Sequence, residues 1–167
     1  MKNKNSSKSN QNSLIIVISN LLKKICEKSS KKSKEKEKIN PFLSKKIPLI
    51  SIEKFFERIC KLTKIENSTL ILIMIFIDRI CELNEIELNY FNIHKLIIGS
   101  LIISIKYNED YFFSNKIYAK ICGISKEEIN KIEIQFLKLL KFNLFVNHEI
   151  YVQYSQFILN ENINISN

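Results

Sequence analysis

Apolar residues recur at helical spacing along most of the chain. In the segments 14–26, 52–62 and 129–140 they return every three or four positions, which is the spacing of one face of an amphipathic helix. The segments 70–77 and 93–105 are apolar nearly all round. Periodicity alone does not separate such a run from a buried strand, but their length favours helices at the centre of a bundle. The pattern predicts an all-α fold with two inner helices and a surrounding layer.

Residues with helix-capping properties set the predicted boundaries. Ser51 precedes the first helix of this bundle, and Ser125 lies three positions before Glu128 in the pattern of a capping box. Gly123 is a suitable left-handed stop for the preceding helix. The predicted helices cover about 52–62, 67–83, 92–107, 115–122, 125–140 and 149–159.

The length of 167 residues and the presence of only two glycines and two prolines predict one helical domain with short connections. We assign residues 41–159 to this domain and 160–167 to a frayed tail. Residues 1–40 form a Lys/Asn/Ser-rich region, predicted to be partly disordered with an amphipathic helix near 14–26. That helix could lie on a membrane surface, dock on a partner or pack against its own domain.

The net charge of +9 is unevenly distributed. Residues 1–40 contain eleven lysines against three glutamates, whereas residues 41–167 contain 15 basic against 14 acidic side chains. A nucleic-acid surface usually uses arginine for bidentate contacts, and this chain has only two arginines. We therefore expect no direct binding of DNA or RNA by the folded part.

The sequence contains no recognisable catalytic or metal-binding motif. No nucleophile, base or carboxylate pair forms a known spacing, and His94 is expected to be a half-exposed polar residue or a capping contact. The four cysteines are widely spread, which predicts buried thiols in a reducing compartment and no zinc site. No apolar run approaches the ~20 residues of a membrane span. We expect a soluble intracellular protein, cytoplasmic or nuclear, without a cofactor and without enzymatic activity.

Three charged residues border the apolar helices and are poorly explained by simple solvation. Asp78 closes the apolar run of 70–77, Lys106 ends that of 93–105, and Glu133 lies beside the stripe of the next long helix. A buried charge without a partner costs several kcal/mol. Each should therefore be paired inside the protein, in an internal salt bridge, or held at an interface.

Several segments in register resemble a cyclin box. They are IFIDRI (75–80), SIKYNEDYFFSNKIYAKICGIS (104–125) and EINKIEIQFLKLLKFNL (128–144). The preceding ISIEKFFERICKLT and the YAK-x-x-GIS element resemble more narrowly the single-box P/U-type cyclins of phosphate and nutrient signalling. The resemblance covers about 42–157. It implies a single cyclin box of five helices with additional N- and C-terminal helices.

This resemblance implies a regulatory subunit that binds and activates a cyclin-dependent protein kinase by holding the kinase C helix in its active position. The lysine and glutamate that contact the kinase in that family fall on Lys106 and Glu133. Many cell-cycle cyclins also carry M-R-A-I-L, whose arginine pairs with the aspartate of the IDR element. Here the corresponding stretch reads P-L-I-S-I (48–52), so docking of substrates there is in doubt and Arg58 becomes the candidate partner of Asp78.

Two other functions stay open. Cyclin-like helical repeats also occur in general transcription factors, so the chain could be a protein-interaction or transcription-factor-like scaffold without kinase activation. The near-neutral charge of 41–167 and the single box argue against DNA binding of that kind. Membrane-surface contact through residues 14–26 is the third alternative.

Overall fold

The structure, a computed structural model, describes residues 3–29 and 41–166, with the side chains of 10–29 and 41–161. Seven helices and no strand are found in these ranges. They are α1 (Asn3–Ser29), α2 (Ile52–Thr63), α3 (Asn67–Asn84), α4 (Ile93–Asn108), α5 (Asn115–Cys122), α6 (Lys126–Leu139) and α7 (His148–Ser166). The predicted all-α fold is confirmed, and α2 to α6 begin and end within about two residues of the predicted boundaries.

The two helices that are apolar all round form the centre of the bundle. α3 and α4 pack against each other, α6 packs on α4, and α1 and α7 pack on α3. The Ser100 hydroxyl donates to the Ile73 carbonyl oxygen across the α3–α4 contact, at 2.8 Å. A Cβ atom on Gly99 would lie 3.0 Å from Phe136 Cγ and 3.2 Å from Ile132 Cγ2. Only glycine permits the approach of α6 at this point.

The helix ends show how local sequence fixes the boundaries. The Ser51 hydroxyl accepts from the Lys54 amide, and the Ser125 hydroxyl accepts from the Glu128 amide. Gly123 ends α5 with a φ of 75°. The start of α3 differs, because Glu66 occupies the cap position and makes no side-chain cap bond. The Glu109 carboxylate, from the end of α4, accepts instead from the Glu66 amide at 2.9 Å.

The N-terminal helix is longer than the predicted segment 14–26. α1 begins at Asn3, so residues 3–13, which we expected to be disordered, are helical. The Gln11 amide donates to the Ile65 carbonyl oxygen at 2.8 Å, and a helix once nucleated extends at little cost per residue. Its apolar face, with Ile18, Leu22 and Cys26, is buried against the domain. Much of the remaining basic segment, residues 30–40, lies outside the described residues.

The C-terminal helix also exceeds its predicted extent of 149–159. α7 continues to Ser166, through the tail that we expected to fray. The Asn147 side chain accepts from the Ile150 amide at its start. Ile158 is buried where α7 packs on α1 and α3. The helix therefore covers part of α1 and α3.

Candidate functional site

The structure brings Lys106 and Glu133 together. Lys106 lies in the last turn of α4 and Glu133 in the middle of α6. The Lys106 ammonium group donates to Glu133 Oε1 at 2.6 Å. The exposed fractions of the two side chains are 31% and 14%, so the ion pair lies at the edge of the packed interior and remains accessible from solvent.

Two polar residues after Lys106 fix the end of α4. The Glu109 carboxylate accepts from the Thr69 hydroxyl as well as from the Glu66 amide at the start of α3. The Asn108 amide donates to the hydroxyls of Ser68 and Thr69, at 3.0 and 2.9 Å. Glu109 therefore anchors the turn of helix that carries Lys106.

The other oxygen of Glu133 has its own partner on a third helix. Asn115, the first residue of α5, donates through Nδ2 to Glu133 Oε2 at 2.6 Å and to Asn130 Oδ1 at 2.8 Å. Hydrogen bonds to a charged acceptor are among the stronger ones in proteins. Sequence reasoning missed Asn115, because no local pattern indicates that the first residue of a short helix reaches α6.

The chain segments that carry Lys106, Asn115 and Glu133 also carry exposed apolar side chains. Tyr111 is 93% exposed, and the others are 42–56% exposed. We call this set the apolar rim, and it consists of Tyr107, Tyr111, Phe112, Phe113, Ile117 and Ile134. Exposed aromatic and aliphatic side chains on the segments that carry a charged pair are typical of a protein-binding surface.

A further exposed aromatic residue follows α6. Phe142 is 66% exposed and has a φ of 56°, and the preceding Lys141 has a φ of 53°. Left-handed conformations are unfavourable for bulky residues and cluster at functional sites. The Phe142 amide donates to the Leu137 carbonyl oxygen, and Arg79 holds the next residue by donating to the Asn143 carbonyl oxygen. These bonds fix an aromatic side chain in a solvent-facing position.

The predicted pair of Arg58 and Asp78 is not formed. The Tyr154 hydroxyl of α7 donates to Asp78 Oδ2, whereas the Arg58 guanidinium donates to the Lys120 carbonyl oxygen at the end of α5, at 3.2 Å. The reason lies in the packing, because α2 contacts α5 while α3 contacts α7. Burial, followed by the bond to Asp78, raises the pKa of Tyr154. A phenol thus takes the place of the predicted arginine partner of Asp78.

Comparison with known proteins assigns this arrangement of helices to a family. The family model described as Cyclin matches residues 3–144, which include α1 to α6. The chain belongs to the cyclin family. The match includes the N-terminal helix, so the family-like part of this cyclin begins well before residue 41.

Curated relatives refine the assignment. The chain is 34% identical over 150 residues to Cyclin-U4-3 of Arabidopsis thaliana. The alignment covers 89% of this chain and 68% of that protein. It is 30% identical over 122 residues to Cyclin-P3-1 of Oryza sativa, covering 73% and 52%. It is 32% identical over 120 residues to the PHO85 cyclin-like protein psl1 of Schizosaccharomyces pombe, covering 71% and 49%. The expected P/U type of cyclin is thereby confirmed.

His94 is buried in this cyclin, not half-exposed as predicted. Its ring contacts Phe55, and Nε2 donates to the Ile50 carbonyl oxygen at 3.0 Å. Burial lowers the pKa of His94, although the bond to Ile50 opposes that effect. The histidine thus holds the strap (residues 41–50) that enters α2. Leu49 of the same strap is fully exposed, in the region where other cyclins carry M-R-A-I-L.

The cysteines of this cyclin are unsuited to nucleophilic or metal chemistry. Burial raises the pKa of Cys26 to about 11 and that of Cys60 to about 12. The reactive form of a cysteine is the thiolate, which these shifts suppress.

No group of three or more potential metal ligands occurs in the part of the chain that the structure describes. Within that same part, no helix has the length and apolarity of a membrane span.

Proposed function

We propose that this cyclin is a regulatory, non-catalytic subunit that binds a cyclin-dependent protein kinase through the surface around Lys106 and Glu133 and favours the active state of that kinase. The observation that carries the proposal is the partly exposed Lys106–Glu133 pair, together with the apolar rim on the same chain segments. Membership of the cyclin family supports a kinase as the partner class, with an intracellular location.

The pair retains hydrogen-bonding capacity for a partner. A lysine ammonium group has three donors, and the structure uses one of them on Glu133. Each oxygen of Glu133 accepts one bond and keeps a second lone pair. The pair can therefore bond to backbone groups of another protein without breaking its internal contacts. Burial of the apolar rim would contribute most of the affinity, at roughly 25 cal/mol per Å² of apolar surface.

Activation follows from selective binding to one state of the kinase. An active kinase needs its C-helix glutamate paired with the lysine of its ATP site. A rigid helical surface that binds only the inward position of that helix shifts the population toward it. In this proposal the cyclin contributes no group to the ATP site.

The double substitution Lys106→Ala with Glu133→Ala tests the assignment. We expect loss of kinase co-purification and of stimulated kinase activity, with nearly unchanged helical circular dichroism and melting temperature. Both groups lie at the surface edge, so their joint removal leaves no buried charge uncompensated.

The chain offers a matched control for this experiment. Lys95 and Glu128 form a second ion pair between α4 and α6, at 2.9 Å, with side chains that are 23% and 38% exposed. Lys95→Ala with Glu128→Ala should leave kinase binding unchanged. Unfolding of the Lys106/Glu133 variant would assign that pair a structural role, and full binding by a folded variant would reject the site. Binding without any rise in kinase activity would support the scaffold alternative.

A further inference from the structure

The Glu133 carboxylate is held from two sides by residues of different helices. Lys106 of α4 binds Oε1, and Asn115 of α5 binds Oε2, both at 2.6 Å. The plane of the carboxylate is therefore set by two bonds that act from different directions. Loss of either bond would allow the side chain to rotate about its last torsion, which has no narrow minimum of its own.

The orientation of the Asn115 amide follows from the acceptors around it. Asn115 Oδ1 is buried and has no hydrogen-bond partner among the described residues, which normally costs about 1–3 kcal/mol. A flipped amide would place Oδ1 against Glu133 Oε2 and Asn130 Oδ1, both of which are acceptors. Nδ2 therefore faces Glu133 and Asn130, and the buried Oδ1 stays without a partner among the described residues.

From this geometry we infer that Asn115 is a positioning residue of the partner-binding pair. It acts through Glu133: its Nδ2 group fixes the carboxylate so that the unused lone pairs of Glu133 and the unused donors of Lys106 face the partner together. The inference rests on the proposed function, and it adds a third helix, α5, to the construction of the binding site. Displacement of α5 would consequently disturb the pair even though Lys106 and Glu133 remain in place.

Asn115→Asp is the variant that tests this role. It removes both donors and places a second carboxylate beside Glu133, where like charges repel. We expect at least a tenfold loss of affinity for a cyclin-dependent kinase that has been purified through its binding to the wild-type chain. The affinity is measured by calorimetric titration at a temperature where circular dichroism shows every variant to be folded.

A second variant provides the rescue. Adding Glu133→Gln to Asn115→Asp exchanges donor and acceptor, because the new amide nitrogen at position 133 can donate to the new carboxylate at position 115. The amide oxygen at position 133 still accepts from Lys106, and the total charge of the site stays as in the wild type. We expect this double variant to recover most of the affinity lost by Asn115→Asp. If Asn115→Asp does not fold, the double variant is compared with Glu133→Gln alone and should bind more tightly.

Asn130→Ala is the matched control, since it removes the other acceptor of Asn115 and leaves the Glu133 bond intact. Its affinity should stay within about twofold of the wild type. Wild-type affinity in folded Asn115→Asp, or no rescue by the double variant, would overturn the inference. An equal loss in Asn130→Ala would attribute the effect to packing of α5 on α6 and also overturn it. Failure of the wild-type chain to bind any kinase would instead refute the proposed function.

Discussion

At the scale of single residues, two polar side chains join segments that are distant in the chain. Asn115 and His94 each have one side-chain atom that is buried without a partner among the described residues, Oδ1 and Nδ1 respectively. Each uses its other polar atom in a bond between distant segments, to Glu133 and to the Ile50 carbonyl oxygen. Such bonds fix one arrangement of the chain, because an alternative arrangement would leave a second polar group unpaired.

His94 should make stability depend on pH. A carbonyl oxygen only accepts, so Nε2 must carry the proton in the bond to Ile50, and protonation would place an unpaired N–H at buried Nδ1. The pKa of His94 in the folded state is lowered by burial, below the ordinary value of about 6.5 that applies to the unfolded chain. The unfolded state therefore binds the proton more tightly, and the contribution of His94 to stability is present above pH 6.5 and lost as the pH falls further.

His94→Gln tests this dependence, because the glutamine amide can still donate to the Ile50 carbonyl oxygen and does not titrate. We expect the fall in melting temperature between pH 7.5 and pH 5 to be smaller than in the wild type. His148→Gln, at the exposed second histidine, is the control and should leave the fall unchanged. An identical pH profile for wild type and His94→Gln would contradict the assignment.

At the scale of helices, the α4–α6 contact determines how closely the two charges of the site approach. Gly99 lets Phe136 pack directly against the backbone of α4. Phe136 is fully buried, and its ring meets Phe42 edge-on with the centroids 5.8 Å apart. Lys106 lies two turns after Gly99 on α4, and Glu133 lies about one turn before Phe136 on α6. The crossing of these helices therefore positions the ion pair.

Gly99→Ala should destabilise the protein although alanine is the better helix former. The gain in helix propensity is about 1 kcal/mol, whereas overpacking a filled core costs about 1–3 kcal/mol. Because Phe136 is fully buried, we expect the cost to exceed the gain, with a net loss of up to about 2 kcal/mol in urea-induced unfolding.

Ser104→Ala provides the control on the same helix. Its hydroxyl is buried without a partner among the described residues, so its removal should be neutral or stabilising. Adding Phe136→Leu to Gly99→Ala should recover part of the stability, since the shorter side chain vacates the position of the new methyl group. A Gly99→Ala protein as stable as the wild type would show that α6 can shift, which contradicts the tight crossing.

At the scale of the whole molecule, the terminal helices belong to the same packed unit as the central five. α1 contacts α2, α3 and α7, and its buried side chains are continuous with the core. The apolar face that sequence alone could have assigned to a lipid surface is occupied by the rest of the protein. Among the described side chains of α1, those that are exposed are mostly polar, such as Lys23, Lys24 and Lys28.

Two substitutions on α1 test whether it is part of one cooperative unit. Leu22→Ala removes a fully buried side chain and should cost about 2–5 kcal/mol. Ile25→Ala, three positions away and 42% exposed, should change stability by only ~0.5 kcal/mol. Both are measured as a single urea transition followed by circular dichroism. Equal, small effects, or a separate early transition for α1, would show that the helix folds independently of the domain.

The sequence by itself determined the helices, the identity of the two inner ones and the family resemblance. These features depend on periodicity and on capping residues such as Ser51, Ser125 and Gly123, which act within a few positions of the chain. It also indicated Lys106 and Glu133, since charges at the edge of apolar helices need a partner. The lengths of α1 and α7 were underestimated, because polar composition does not reveal the tertiary contacts that support a helix.

Only the tertiary structure decided which polar groups meet. Asp78 bonds to Tyr154, Arg58 to the end of α5, and Glu133 to Asn115 as well as Lys106. Each of these contacts joins residues at least 18 positions apart in the chain, where no local periodicity connects them. The physical reason is that the crossing of packed helices, set by features such as the close approach at Gly99, selects one partner from many of equal chemical suitability.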